Sequence, residues 1–341
     1  MNKIAQLSPQ MRMELFRQTA AQRGMTEQIV EKDFWVCWVL KQLFESSLKD
    51  RIIFKGGTSL SKVYGLIERF SEDIDLILNW TGNPLGNPMA EMSKNKRKKF
   101  NDELLAWGNK CIRDEIYPIV REFCGDICTA VLEMGNTGDA IIAIQYPQAF
   151  ASDSYLRPEI RLEIGALAAW DPHQTAIIKS YAAEQYPHIF SEPEVSVQVT
   201  SAARTFWEKA TILHTEAGRP ESGAFRSRYS RHYYDMVMLA RDPAVKAEAF
   251  ADLPLLARVV DFKQRFYSGS KWLAYDQAKP GTFRLLPPEY FITDLRSDYA
   301  NMRNMIYGEY PPFEQLMSEL KSLLLEINTI GGRETFLKDI S

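Results

Sequence analysis

Apolar and polar residues follow one pattern before residue 200 and another after it. In the first part, short apolar or alternating runs predict β-strands at 51–54, 74–78, 127–134, 139–146, 155–167 and 194–199. Longer stretches with helical spacing predict helices at 9–22, 26–46 and 93–123. From 201 onward the spacing is mostly helical, apart from a stretch with Pro and Gly at 268–288. The pattern predicts an α+β protein, with a mixed sheet domain and N-terminal helices at 1–200 and a mostly helical domain at 201–341.

Most of the candidate ligand-binding residues lie in residues 54–78, which read FKGGTSLSKVYGLIERFSEDIDLIL. The Gly-Gly pair interrupts a predicted strand and lets the backbone approach a ligand closely. Thr58 and Ser59 are residue types that cap a helix, and this helix is predicted to run to about Glu68. The start of a helix offers N–H groups and a positive dipole end to an anion. We therefore expect four residues to bind phosphate: Gly56, Gly57, Thr58 and Ser59.

Two acids begin the strand that follows. Successive side chains of a strand point to opposite faces, so Asp73 and Asp75 share one face and Ile74 points into the core. Two nearby carboxylates repel each other unless a cation lies between them. Mg²⁺ prefers such hard oxygen ligands together with substrate phosphates. The segment therefore predicts a metal site beside the phosphate site, and an ordinary solvated pair of acids is the alternative.

The spacing of GGTSL, twelve residues and then D-x-D resembles the signature of the polymerase-beta-like nucleotidyltransferase superfamily. More narrowly, KGGTSLSK and RFSEDIDL resemble the AbiEii/AbiGii toxin nucleotidyltransferases, which include the MenT-like toxins. The resemblance implies a nucleotidyltransferase fold and transfer of a nucleoside monophosphate from an NTP to an acceptor. It implies Mg²⁺ as the metal, with Mn²⁺ as an alternative. We expect the nucleotide in a cleft that the helical domain completes.

Superfamily members carry a third carboxylate on a neighbouring strand, and the run EIRLEIG offers two. Its apolar residues alternate with Arg161 and Glu163, so Glu163 lies on the polar face. Glu159 has the same parity but stands at the start of the strand. We predict that Glu163 completes the metal site with Asp73 and Asp75. The alternative is a solvent-side ion pair between Arg161 and Glu163.

The helix predicted at 201–217 resembles a second family motif, R-T-x-x-E-K-x-x-x-L-H. Five residues match it: Arg204, Thr205, Glu208, Lys209 and His214. A lysine beside a triphosphate acts as a mobile charge on its oxygens, and we assign this catalytic role to Lys209. A solvated helix lysine is the alternative. Arg204 and Glu208 are one helical turn apart and can pair with each other.

A third match lies in RPESGAFRSRYSRHYYDMVMLA, residues 219–240. Arg231 and Asp235 stand at the family's positions, and the resemblance implies that both serve nucleotide or phosphate binding. Several roles stay open: the two hold each other, or Arg231 holds phosphate while Asp235 orients it or a nearby lysine. Tyr234 stands where members often carry a lysine.

Basic and aromatic residues are interleaved in the same stretch, which suits single-stranded RNA because arginine meets the backbone and aromatic rings stack on bases. The residues concerned are Phe225, Arg226, Arg228, Tyr229, Arg231, Tyr233 and Tyr234. The alternative is a flexible basic loop followed by core tyrosines. A second basic run holds five cations within residues 94–99, for which a solvated helix face is favoured.

The composition of the chain says more about where the protein works than about the reaction that it catalyses. The chain has 341 residues, 45% of them hydrophobic, which is enough for a large core. A net charge of −3 means that any RNA contact has to be local. The four cysteines lack metal-ligand spacing and suit a reducing cytoplasm. No segment approaches the roughly 20 apolar residues of a membrane span, so we expect a cytoplasmic protein without a membrane partner.

The resemblance further implies the toxin of a toxin–antitoxin or phage-defence pair. The expected partners are an NTP, an RNA acceptor with tRNA first, and a separate AbiEi-like antitoxin. A protein hydroxyl or a small molecule is the alternative acceptor, and a catalytically silent binding module is the alternative class of function. A Glu-Lys-Asp triplet at 31–33 also resembles the family and is interpreted as structural.

Overall fold

The computed structural model describes residues 1–71, 73–80, 82–135, 138–151, 157–167, 170–267 and 269–338. The chain divides into two compact units. The first unit holds Met1–Gly65 and Phe70–Thr200, and the second holds Leu66–Arg69 and the chain from Ser201 onward. The short segment Leu66–Arg69 thus groups with the second unit although the first unit surrounds it in the sequence.

The helices of the first unit are α1 (Asn2–Ala5), α2 (Pro9–Arg23), α3 (Glu27–Glu45), α4 (Gly56–Lys62), α5 (Lys94–Cys111), α6 (Tyr117–Cys124) and α7 (Tyr181–Gln185). A π-helical segment, Ile112–Ile116, joins α5 to α6, so the helix predicted at 93–123 is present in three parts. A 3₁₀ turn, Pro187–Ile189, follows α7. Thr26 caps α3, because its hydroxyl accepts a hydrogen bond from the backbone N–H of Ile29.

The strands are β1 (Ile52–Lys55), β2 (Asp73–Leu78), β3 (Thr129–Met134), β4 (Ala140–Gln145), β5 (Glu159–Gly165), β6 (His173–Ile178) and β7 (Val195–Thr200). Within the described residues they form one mixed sheet in the order β3-β4-β5-β2-β1-β7-β6. Strand β2 runs antiparallel to β1 and parallel to β5. The strands that carry the predicted carboxylates therefore lie side by side in the middle of the sheet.

Helix α3 has a wide apolar face and is buried over most of its length, with Trp35 at 0% exposure. One apolar cluster joins α3 to the inner side chains of β1, β2, β4, β5 and β7. Ile74 and Leu76 of β2 belong to this cluster. Since strand side chains alternate, Asp73 and Asp75 lie on the opposite face of the sheet.

The helices of the second unit are α8 (Ala202–Glu216), α9 (Ser230–Arg241), α10 (Pro243–Ala251), α11 (Leu253–Tyr267), α12 (Ile292–Asn301) and α13 (Phe313–Lys338). Between α11 and α12 come the 3₁₀ turns Lys271–Leu273, Tyr275–Gln277 and Glu289–Phe291, and a further one, Met302–Met305, follows α12. This region contains the stretch predicted to interrupt the helices, of which residue 268 lies outside the described residues. We find no candidate membrane-spanning segment among the described helices.

The structure confirms the predicted α+β class. The hairpin of β3 and β4 is present, although residues 136 and 137 of its turn lie outside the described part, as do 155 and 156 of the predicted strand at 155–167. Strand β6 was not predicted. Most of its side chains are exposed, so it lacks the alternation of apolar residues on which strand prediction depends.

Candidate active site

Three predicted carboxylates lie on the polar face of two neighbouring strands. The parallel register of β2 and β5 pairs Asp75 with Glu163 and Asp73 with Arg161. Adjacent strands are about 4.8 Å apart, so side chains at paired positions are direct neighbours. Asp73 and Asp75 are partly buried, and Glu163 is exposed. The sheet therefore sets a glutamate beside an aspartate, with a second aspartate two residues away.

Gly56 brings the backbone against the carboxylate of Asp75. The register of β1 and β2 pairs Lys55 with Asp75, so the residue that follows Lys55 has to pass this side chain. Gly56 has a φ of +79°, and a Cβ atom there would lie 2.0 Å from Oδ2 of Asp75. Both the positive φ and the close approach require a residue without a side chain.

The hydroxyl groups of α4 bind protein carbonyls. Thr58 Oγ1 donates to the carbonyl oxygen of Asp73 at 2.7 Å, and Ser59 Oγ donates to that of Gly56 at 2.8 Å. Both residues are buried. Since the hydroxyl hydrogens are engaged here, the backbone N–H groups are the donors that residues 56–59 can offer to a phosphate.

Helix α4 is shorter than the sequence predicted. It begins at Gly56 and ends at Lys62, whereas a cap at 58–59 and an end near Glu68 were expected. Both expectations are wrong. Gly65 has a φ of +61°, a left-handed conformation that ends helices, and the residues after it belong to the second unit.

Arg161 pairs with one of the two glutamates of β5 and with a glutamate of β3. Its guanidinium pairs with Glu133 at 3.0 Å and with Glu159 at 2.9 Å. The alternative in which Arg161 pairs with Glu163 is therefore wrong. Glu159 is held by the arginine, and Glu163 is the carboxylate of this strand that stands beside Asp75.

The donor set fits a divalent cation of the Mg²⁺ class by its chemistry. All three side chains supply carboxylate oxygens, which Mg²⁺ prefers, and like charges at neighbouring positions are relieved by a cation. In the described part of the chain, no group of three His, Cys, Asp or Glu side chains is already gathered around one metal position. The fit thus depends on strand register and on the kind of donor.

The chain matches the model of the nucleotidyl transferase AbiEii toxins of type IV toxin–antitoxin systems over residues 38–319. It belongs to the AbiEii family. The protein is accordingly a nucleotidyltransferase toxin of a type IV toxin–antitoxin system. Among solved structures it is similar to MenT4, a nucleotidyltransferase toxin from Mycobacterium tuberculosis H37Rv, with a TM-score of 0.45 and 15% identity over 93% of this chain and 99% of that one. No curated protein matches it.

In the second unit of this AbiEii protein, Asp235 is buried between two cations. Arg69 donates to it twice, from Nε to Oδ1 at 2.6 Å and from Nη2 to Oδ2 at 2.8 Å. Lys209 Nζ lies 2.7 Å from Oδ2, and His232 Nδ1 lies 3.1 Å from the same Nζ. Asp235 therefore holds a nearby lysine and not Arg231. Lys209 is buried, so the alternative of a solvated lysine is wrong.

Burial and neighbouring charges set the protonation of this cluster. Burial alone would raise the pKa of Asp235, but Arg69 and Lys209 hold it well below its usual range. Burial lowers the pKa of Lys209, and the attraction of Asp235 opposes this. Burial and the charge of Lys209 also lower the pKa of His232 well below its ordinary value. The imidazole is then neutral at pH 7, and its Nδ1 accepts a hydrogen bond from the ammonium.

Arg69 is the residue of this buried cluster that the sequence pattern did not reveal. It stands four residues before Asp73 inside the motif RFSEDIDL, which was a usable signal. Its partner Asp235 is 166 residues away, so no local pattern reveals the contact. Its segment is held by a bridge between Arg69 and Ile306 and by a hydrogen bond from the Tyr307 N–H to the Glu68 carbonyl oxygen.

Other residues of the family motif in α8 have structural contacts. Arg204 pairs with Glu208 at 2.9 Å, as their spacing suggested. His214 Nε2 donates to the carbonyl oxygen of Ala274, and its Nδ1 accepts from the N–H of Arg284, both at 3.1 Å. Burial lowers the pKa of His214 to about 4, which keeps the ring neutral. His214 thus holds the 3₁₀ region against α8.

The interleaved basic and aromatic residues separate into an exposed part and a buried part. Arg226 and Arg228 are exposed, and Arg226 pairs with Glu216 at 3.2 Å. Tyr233 and Tyr234 are buried core residues, so the expectation that they stack on bases is wrong. The exposed part is the loop before α9.

Arg231 lies partly buried on α9 and forms no ion pair with any described residue. The second basic run contains one buried residue, Arg97, which donates to the carbonyl oxygens of Pro88 and Ala90. The remaining cations of the run are exposed: Lys94, Lys96, Lys98 and Lys99. This run is a solvated face around one structural arginine.

Proposed function

We propose that this protein transfers a nucleoside monophosphate from an NTP to a hydroxyl group of an RNA, tRNA first, with Mg²⁺ or Mn²⁺ as cofactor. The observation that carries the proposal is the register that sets Asp75 beside Glu163, with Asp73 on the same face. Membership of the AbiEii family supplies the reaction class. The metal and the acceptor are the proposed parts.

Asp73, Asp75 and Glu163 are the residues that would hold the metal. When bound there, Mg²⁺ would lower the pKa of the attacking hydroxyl and offset the charge of the leaving pyrophosphate. The chain contributes the placement of the three carboxylates through the pairing of β2 with β5. Gly56 contributes by leaving room for the Asp75 carboxylate.

In the proposed reaction, the acceptor oxygen attacks the α-phosphorus of the NTP. The new oxygen–phosphorus bond forms as the bond to the oxygen bridging the α- and β-phosphorus breaks. Pyrophosphate leaves with that oxygen, and the hydroxyl proton is released. The protein forms no covalent bond in such a step, so its part is positioning and charge stabilisation.

Negative charge increases on the pyrophosphate as it leaves, and Lys209 is proposed to neutralise it. Asp235 keeps the Lys209 ammonium in place through a contact of 2.7 Å. Arg231, one turn before Asp235 on α9, is proposed to bind a phosphate as well. In the first unit, the backbone N–H groups of residues 56–59 are proposed to bind phosphate.

The acceptor assignment depends on a local feature, because the chain carries a net charge of −3. Arg226 and Arg228 are exposed in one loop, next to the partly buried rings of Phe225 and Tyr229. Guanidinium groups beside aromatic rings favour a nucleic acid backbone and its unstacked bases over a small neutral acceptor.

The decisive experiment incubates the purified protein with Mg²⁺, each α-³²P-labelled NTP in turn, and total bacterial RNA. The Asp73→Asn variant is the control, because it keeps the shape of the side chain and removes its charge. We expect label in a tRNA-sized band with the wild type and none with the variant. Omission of the metal is expected to abolish labelling as well.

Equal labelling by Asp73→Asn would overturn the assignment of the carboxylates. Label on protein alone would replace RNA with a protein hydroxyl as the acceptor. In cells, expression of the wild type is expected to arrest growth and the Asp73→Asn variant is not. Growth arrest by both would separate the toxic effect from nucleotidyl transfer. A separate AbiEi-like antitoxin and a role in phage defence belong to the same proposal.

A further inference from the structure

Three consecutive charged residues lie inside the first unit. Glu31, Lys32 and Asp33 of α3 are 3%, 1% and 2% exposed. Neighbouring residues of a helix are about 100° apart around its axis, so these three side chains point in three directions. Each of them meets a different segment of the chain, and each contacts residues in or near an element that carries or flanks a proposed metal ligand.

Asp33 fixes the end of α4. Its Oδ1 pairs with Lys62 Nζ at 2.7 Å, and its Oδ2 accepts from the N–H of Tyr181 at 2.6 Å. The Lys62 ammonium also lies 3.9 Å from the centre of the Tyr181 ring. Since α4 spans only Gly56–Lys62, about 9 Å at 1.5 Å per residue, a fixed Lys62 restricts where Gly56 can meet Asp75, together with the pairing of Lys55 with Asp75.

Lys32 contacts the residues that precede β2 and β5, the two strands that carry the proposed metal ligands. Its Nζ donates to the carbonyl oxygen of Arg157 at 3.0 Å, two residues before β5 begins at Glu159. The same ammonium lies 5.9 Å from the centre of the Phe70 ring, three residues before β2 begins at Asp73. One lysine therefore contacts the chain just ahead of each strand that carries a proposed metal ligand.

Glu31 holds the chain on the other side of β5. Its Oε1 accepts from the N–H of Ala149 at 2.6 Å, shortly after the end of β4. Ile141 of β4 pairs with Glu163 of β5, so β4 is directly adjacent to β5 on the side away from β2. The triplet thus contacts the surroundings of β2, β4, β5 and α4 from one turn of one helix.

Such burial is a poor source of stability. Removing charges from water is costly, and well-packed apolar residues often stabilise a protein as much as a buried ion pair does. What a buried, paired charge adds is a defined position for its partner. The carbonyl oxygen of Arg157 and the ammonium of Lys62 are held at fixed points of α3, and apolar contacts do not specify such points.

We propose that Glu31, Lys32 and Asp33 are positioning residues, which set the mutual placement of Gly56, Asp75 and Glu163 for metal binding. The proposal rests on the proposed function of those carboxylates. It gives the Glu-Lys-Asp triplet a role in the site beyond a general structural one.

The test compares Asp33→Asn and Lys32→Gln with a matched control, Lys41→Met. Lys41 lies on the same helix, is 2% exposed, and pairs with Glu45 and with Glu192, the latter at 2.9 Å. Neither partner belongs to β2, β5 or α4. Binding of Mn²⁺ to the full chain is measured by electron paramagnetic resonance, beside thermal unfolding and the kcat and KM of nucleotidyl transfer.

We expect Asp33→Asn and Lys32→Gln to weaken Mn²⁺ binding and to lower kcat by about 10- to 100-fold, with an unchanged KM for the RNA acceptor. Lys41→Met is expected to lower the unfolding temperature and to leave the Kd for Mn²⁺ and the kcat of the folded protein unchanged. Wild-type Kd and kcat in both triplet variants would overturn the proposal. Should Asp33→Asn fail to fold, Lys32→Gln decides.

Asp75→Asn distinguishes this failure from that of the proposed function. If the wild type binds Mn²⁺ no more tightly than Asp75→Asn, the carboxylates are not a metal site, and the positioning proposal is overturned together with the proposed function. If Asp75→Asn alone loses the ion while the triplet variants retain it, only the positioning proposal is overturned.

Discussion

At Gly56, the absence of a side chain determines where the neighbouring carboxylate of Asp75 can lie. Glycine is needed there for two separate reasons, the positive φ and the space taken by Oδ2 of Asp75. Gly24 has a similar φ of +64°, but a Cβ atom added there would meet nothing within 4 Å. The two glycines therefore allow the two reasons to be separated experimentally.

We expect Gly56→Ala to lower kcat by about 100-fold, because the methyl group displaces the Asp75 carboxylate and small misplacements have effects of that size. Gly24→Ala is expected to keep wild-type activity. Both variants adopt an unfavourable φ, which should lower the unfolding free energy of each by about 1–2 kcal/mol, and Gly56→Ala should lose more because its methyl group overlaps the Asp75 carboxylate. Steady-state kinetics beside urea denaturation checks both statements, and equal activity of the two variants would contradict the first.

At the same scale, the sequence indicates which residues are candidates for the site better than it indicates which residues they contact. The shared face of Asp73 and Asp75 follows from strand periodicity alone. The choice of Glu163 over Glu159 depends on the register of β2 and β5 and on the ion pairs of Arg161, which no local pattern contains. For the same reason, the contact of Asp235 with Arg69 was not foreseen.

At the scale of elements, hydrophobic periodicity and helix-capping residues predicted the helices and strands that bury an apolar face. Examples are α3, α8 and the hairpin of β3 and β4. The failures have a common cause. Strand β6 has mostly exposed side chains, and the end of α4 depends on Gly65 and on the departure of the chain into the second unit. The hydrophobic pattern does not predict a helix or strand whose bounds are set by tertiary contacts, because such an element need not be amphipathic.

The loop before α9 gives a prediction at this scale. Replacing Arg226 and Arg228 with alanine should weaken RNA binding and lower the slope of log K against log salt concentration by about 1.4–1.8, since each phosphate contact contributes about 0.7–0.9. Arg258→Ala, which removes an exposed arginine of α11, is the control and should leave the slope unchanged. Filter binding of tRNA at several salt concentrations measures it. An unchanged slope in the double variant would remove this loop from the RNA interface.

For the whole molecule, two buried histidines link stability to pH. The pKa of His214 is lowered by burial to about 4, and that of His232 is lowered well below its ordinary value. Below about pH 6.5, the unfolded chain takes up protons that the folded chain does not bind. The free energy of unfolding should therefore fall with decreasing pH, by up to about 1.4 kcal/mol per pH unit for each histidine.

Urea denaturation between pH 7.5 and 5 checks this dependence. His214→Gln is expected to reduce the slope of stability against pH by the contribution of one histidine, whatever its effect on stability at neutral pH. His188→Gln replaces an exposed histidine and serves as the control. A slope in His214→Gln equal to that of the wild type would show that His214 titrates alike in both states.

The segment Leu66–Arg69 has a consequence for how the protein can be made and divided. The chain leaves the first unit after Gly65, gives four residues to the second, and returns at Phe70. Arg69 pairs with Asp235. Glu68 accepts hydrogen bonds from the N–H groups of Tyr307 and Glu309. A fragment cut after Thr200 would contain this segment without any of those partners. On the ribosome, too, Arg69 has to wait for Asp235, and Glu68 for Tyr307 and Glu309, so this segment of the second unit finds its partners only after the first unit has been synthesised.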